Sequence, residues 1–114
     1  MAGMRITVPT ARVLAALLAA AHADHYGLDL MHRAELASGT LYPILNRLTE
    51  AGWLERRWEE IDPAAAGRPA RRFYRLTAEG AVQARQCLAE LRAQLDTSGA
   101  LDAPGKAGSP RPAW

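Results

Sequence analysis

The chain has 114 residues, 49% of them hydrophobic and 23% charged. That is enough for one packed core, too little for two ordinary domains, and unlike either a disordered chain or a membrane protein. The formal charge of +2 says little about partners, and Lys106 is the sole lysine among 14 basic residues; with so much alanine, this arginine bias fits a GC-rich coding genome better than a recognition device.

The single cysteine, Cys87, has no internal partner for a disulfide and suits a reducing compartment, so a cytoplasmic protein is expected. The longest apolar stretch, Val13 to Ala21, is broken by His22, Asp24 and His25 and falls short of the roughly 20 residues that span a bilayer. It could mimic the apolar part of a secretion signal, but the helical pattern that follows Tyr26-Gly27 makes it part of the fold.

Residues 1–9 read as a lead-in. Thr10 can cap a first helix running to about Ala23, with apolar residues at positions 13, 14, 17, 18 and 21 on one face. A second helix is predicted from about Tyr26 to Ala34, with Gly27 near its start, where a small residue lets helices approach. Glu35-Leu36-Ala37 forms a tight connection to a third helix beginning near Gly39 or Thr40. Its inward stripe is Leu41, Ile44, Leu45 and Leu48, and Gly52 stops it. Pro43 lacks an N–H and is best tolerated near a helix start, so the first turn is unusual.

Trp53 to Glu60 is rich in aromatic residues without a helical stripe and reads as a strand. The segment from Ile61 to Ala70 has two prolines and a glycine and is expected to be irregular loop. Arg71 to Leu76 reads as the second strand of a hairpin with a long tip. Thr77 caps the last helix, over 77–95, and the Gly, Pro and Ser of 96–114 suggest a disordered tail.

The expected architecture is mainly α with a small β-hairpin, in the order α-α-α-β-β-α. This is the order of a winged helix-turn-helix, whose third helix enters the DNA major groove. The outer face of that helix carries Thr40, Tyr42, Pro43, Asn46, Arg47 and Glu50. Asn46 can pair bidentately with adenine and Arg47 with guanine or a phosphate, while the hydroxyls of Ser38, Thr40 and Tyr42 lie near a helix N-terminus that favours phosphate. The competing use of Tyr42 is packing on the second helix, and that of Arg47 is solvation of an exposed face. Arg68, Arg71 and Arg72 at the hairpin tip, with Arg75 further along, can follow a DNA backbone or enter a minor groove. Pairing with Glu55, Glu59 and Glu60 on the neighbouring strand is their competing use.

His22, His25, His32 and Cys87 do not have zinc-motif spacing, and no metal is expected. No glycine-rich phosphate loop, nucleophile elbow or inward carboxylate pair is found, so no catalytic residue or cofactor is assigned.

The sequence resembles the PadR family of bacterial transcriptional regulators. The resemblance rests on Tyr26-Gly27, on Ser38-Gly-Thr-Leu-Tyr-Pro43 followed by Leu45, Arg47 and Leu48, and on Gly52-Trp-Leu, Gly67-Arg-Pro69 and Arg72-Phe-Tyr-Arg-Leu-Thr-Ala-Glu-Gly80. These pieces keep the family's order over about residues 12–95. The resemblance implies a homodimer that represses genes from a palindromic operator in double-stranded DNA, dimerising through the last helix together with the first. On this reading the DNA-binding set is Ser38, Gly39, Thr40, Tyr42, Pro43, Asn46, Arg47, Arg68, Arg71 and Arg72. The dimer contacts are Leu14, Leu18, Leu88, Leu91 and Leu95. Compared with longer members, the chain lacks an extended C-terminal domain beyond about Leu95. In some relatives aromatic residues between subunits contact planar compounds, which makes Trp53 or Trp58 a candidate for a small aromatic effector. The alternative function is a winged helix that only binds other proteins.

Overall fold

A computed structural model describes residues 6–98; the expected lead-in up to Arg5 and tail beyond Ser98 lie outside the described residues. Helix α1 spans Val8–Leu18. Its cap is Thr7 rather than Thr10, because Pro9 is comfortable only in a first turn; the Thr7 hydroxyl accepts the Thr10 N–H at 3.3 Å, and Thr10 itself is buried. The helix ends at Leu18, short of the expected Ala23, and turns carry the chain to the two-residue strand β1, His25–Tyr26.

Helices α2, Gly27–Ala34, and α3, Ser38–Glu50, meet across a turn in which Glu35 takes a left-handed φ of 57°. The Leu36 N–H reaches back to the Met31 carbonyl at 3.0 Å, closing the end of α2. α3 closes in the same way: Gly52 has φ 83° and the Trp53 N–H donates to the Leu48 carbonyl at 2.9 Å. Strand β2, Leu54–Trp58, then leads out to the tip.

The tip is not irregular throughout. A four-residue helix, α4, spans Pro63–Ala66, capped by the Asp62 side chain on the Ala64 N–H at 3.1 Å and ended by Gly67 at φ 73°. The proline and glycine that read as breakers stand where they bound a helix instead, at its first position and just past its end. Strand β3, Arg72–Leu76, returns, and helix α5, Ala78–Ser98, follows, running past the boundary expected at residue 95.

The expected hairpin is a three-stranded antiparallel sheet in the order β1-β3-β2. β1 adds to β3 with His25 opposite Tyr74 and Tyr26 opposite Phe73, and β2 pairs with β3 from Leu54–Leu76 to Trp58–Arg72. One core joins Val13, Leu14 and Leu17 of α1, Leu30 of α2, the α3 stripe, Trp53, Leu54, Tyr74, Leu76 and Ala84.

His25 is buried between the helices and the sheet. Arg33 Nη2 lies 2.7 Å from its Nδ1 and can only donate, so Nε2 carries the proton and donates to the Ala20 carbonyl at 2.9 Å. Its pKa is lowered from 6.5, chiefly by burial; the Ala20 carbonyl opposes this and the Arg33 charge adds to it. The unfolded chain therefore binds a proton where the folded chain does not. The contribution to stability is complete above 6.5 and is expected to fall as pH drops from there toward the lowered folded value. Urea unfolding between about pH 7.5 and 5 measures this slope, and a flat profile would rule out a buried neutral imidazole.

Candidate nucleic-acid interface

Sequence periodicity divides α3 into two faces, and the fold keeps that division. Leu41, Ile44, Leu45 and Leu48 are buried, whereas Ser38, Gly39, Thr40, Tyr42, Pro43, Asn46 and Arg47 are exposed on the other side. Pro43 lies inside the helix, so the Gly39 carbonyl loses its usual donor four residues on; Gly39 is exposed, which leaves that oxygen to solvent. Tyr42 also leans back onto α2, where a Cβ at Gly27 would overlap its hydroxyl. Tyr42 thus packs on α2, as its competing use foresaw, and remains 39% exposed. Arg47 forms no ion pair with a described residue.

The wing arginines divide differently from the expectation. Arg68 grips Glu59 with two nitrogens, at 2.6 and 3.2 Å. The Arg71 backbone N–H donates to the same carboxylate at 2.9 Å, its guanidinium lies at 3.5 Å, and the Tyr26 hydroxyl donates at 3.2 Å. Arg68 first, then the Arg71 backbone, hold the Glu59 carboxyl down at about 2. Arg68 and Arg71 thus shape the wing base around a carboxylate. Arg75 pairs with Asp24, its Nε donating at 2.8 Å.

Arg72 has no carboxylate partner among the described residues and sits over the Trp58 ring at 4.8 Å. Two residues before Trp58, on the same sheet face, Arg56 reaches the Asn46 side-chain oxygen at 3.5 Å. Arg56 was missed in the sequence reading. The signal for it was strand parity: with Leu54 inward, Arg56 and Trp58 must share the face that meets α3.

Of the candidate dimer contacts, Leu14 is corrected: it is 0% exposed inside the subunit's own core and has no surface to offer a partner. Leu18, Leu88, Leu91 and Leu95 do come together, lining an apolar groove of about 490 Å³ with Arg85, Ala89 and Arg92. On another side of α5 a larger groove, about 700 Å³, is lined by Trp53, Gln83, Cys87 and Glu90 among others, and burial pushes the Cys87 thiol up. Trp53 is a core residue and Trp58 is 59% exposed. His25 is committed to Ala20 and Arg33, and the described residues hold no cluster of three or more metal-ligating side chains. No described helix is long and apolar enough to cross a membrane.

A helix-turn-helix whose second helix presents polar side chains outward, followed by an arginine-bearing wing, defines a winged-helix DNA-binding regulator. The model of the PadR-like family of transcriptional regulators matches residues 14–86, and the chain belongs to that family. No curated protein matches it. Among solved structures it is similar to smu.1704 from Streptococcus mutans UA159, at 26% identity and TM-score 0.62 over 87% of this chain and 92% of that one. The PcaV transcriptional regulator of Streptomyces coelicolor, solved with its natural ligand, matches at 25% identity and TM-score 0.64, over 90% of this chain and 67% of that one. A PadR-like transcription factor from Bacteroides fragilis shares the fold at 24% identity and TM-score 0.58, over 81% of this chain and 91% of that one.

Proposed function

We propose that the protein is a homodimeric repressor that reads a palindromic operator through the outer face of α3, with Asn46 and Arg47 contacting base edges. The observation that carries this reading is that face: a row of exposed polar side chains on a helix whose opposite side is fully locked into the core. Ser38 and Thr40 at its first turn add phosphate contacts, where the helix N-terminus favours anions. The α5 groove with Leu18, Leu88, Leu91 and Leu95 pairs two copies, so that two recognition helices meet successive major grooves. A small aromatic effector has room in the groove beside Trp53, and PcaV, solved with its natural ligand, is a neighbour in fold.

Fluorescence anisotropy with DNA from upstream of the protein's own gene, against scrambled duplex at two salt concentrations, tests the reading. Preferential binding to the upstream DNA supports an autoregulating repressor. No binding at either salt moves the function to protein partners. In the Arg47→Ala protein, operator affinity is expected to fall by about 1–3 kcal/mol while binding to scrambled duplex falls less.

A further inference from the structure

The expectation that the wing tip carries the backbone contacts does not sit well with the charges found there. Glu59 has already engaged Arg68 and Arg71, and an arginine held by a carboxylate gains less from a phosphate. Two wing cations without such a partner lie on the sheet itself, Arg56 beside α3 and Arg72 opposite Trp58. Arg56 and Arg72 have no carboxylate partner among the described residues, and with Arg57 and Trp58 they line a shallow groove of about 220 Å³.

We propose that Arg56 and Arg72, the second braced on the indole of Trp58, form a clamp for the DNA phosphate backbone between α3 and the wing. The inference rests on the DNA-binding reading and adds to it the residues that hold the flanking strand. Three observations carry it. Trp58 and Arg72 are directly opposed across β2 and β3, so the sheet register sets the two side chains next to each other on one face, where the guanidinium lies over the ring at 4.8 Å. Trp58 is 59% exposed, a large apolar ring left at the solvent-facing end of a sheet face whose other end, at Leu54, Tyr74 and Leu76, is buried. Arg56, one strand repeat from Trp58 on the same face, donates to the Asn46 side-chain oxygen at 3.5 Å and so ties that sheet face to α3.

The Arg72 guanidinium lies 4.8 Å from the centre of the Trp58 ring, and a guanidinium resting on an aromatic face keeps its N–H donors available for phosphate oxygens. Such a contact is blind to sequence and releases counterions, so its signature is the salt dependence of binding and not the choice of operator.

The experiment compares salt titrations of the full chain on operator and scrambled duplex for the parent, Arg56→Gln with Arg72→Gln, Arg68→Gln with Arg71→Gln, and Arg47→Ala. The Arg56/Arg72 variant is expected to reduce the slope of log affinity against log salt by about two, and to weaken both duplexes by the same factor. Arg56→Gln alone leaves the stacked pair intact, guards against misfolding of the double variant, and is expected to reduce the slope by about one. An unchanged slope for the Arg56/Arg72 variant, in a parent that binds DNA, overturns the clamp and leaves the DNA-binding reading standing. A stability loss in thermal melts with an unchanged slope reduces the stack to a structural cross-strand pair and overturns it equally. A parent that binds neither duplex removes the reading on which the clamp rests.

Discussion

Replacing Gly80 with alanine is expected to destabilise the protein by about 2 kcal/mol or more, although glycine to alanine within a helix ordinarily gains about 1 kcal/mol. Gly80 lies in the first turn of α5, and a Cβ there would overlap the carbonyl oxygen of Trp53. The neighbour is backbone, and it cannot move aside freely. The Trp53 carbonyl accepts the Thr77 N–H at 3.0 Å, while the Thr77 hydroxyl donates to the Gly52 carbonyl at 2.8 Å and accepts the Gly80 N–H at 2.9 Å. Pushing the helix away would break this cap and shift the start of β2. In a domain of this size 1 kcal/mol moves the thermal midpoint by about 4–8 °C, so calorimetry resolves the effect easily. Gly39→Ala is the control, because Gly39 also lies in the first turn of a helix and a Cβ there meets open space, so that variant is expected to melt at or a few degrees above the parent. Equal midpoints for both variants would mean that α5 does not approach Trp53 so closely.

Leu91→Asp is expected to give monomers, and to cut operator affinity by about 10²–10⁴-fold through loss of the second, tethered half-site. Leu91 lines the apolar groove of α5 with Leu18, Leu88 and Leu95, and a carboxylate placed in that seam of an assembled dimer would be desolvated among leucines while removing an apolar contact. Leu91 is only half-buried in the subunit, so the monomer is expected to remain folded by circular dichroism. An unchanged dimer mass in light scattering would reject α5 as the dimer contact, whatever the DNA result.

Where residues advertise themselves by period, the sequence was a good guide. The stripe on α3 and its outer face were legible residue by residue because burial of four leucine and isoleucine side chains fixes the helix rotation. The third strand was not legible: β1 has two residues, and its place in the sheet is decided by backbone pairing with Phe73 and Tyr74, contacts some fifty positions away. α4 was hidden by the reverse error, in which proline and glycine were weighed as breakers without asking whether they stood at the ends of a run of alanines. At the candidate site, composition offered Arg68, Arg71 and Arg72 as equivalent, with Arg75 further along the strand. Their partners distinguish them: Arg68 and Arg71 meet Glu59 just past β2, whereas Arg75, opposite Glu55 in the sheet, pairs with Asp24 beside β1.

β1 has a further mechanical consequence. It laces the corner between α1 and α2 to the strand that carries the wing, and the Asp24–Arg75 ion pair and the Tyr26–Glu59 hydrogen bond fasten that seam at both ends. A wing hung on a two-stranded ribbon can swing; this one is stitched along both sides of β3. If α3 and the wing bind DNA as proposed, they are expected to act as the fixed jaws of a caliper, to which a duplex brings its groove and its flanking strand at the separation the protein sets.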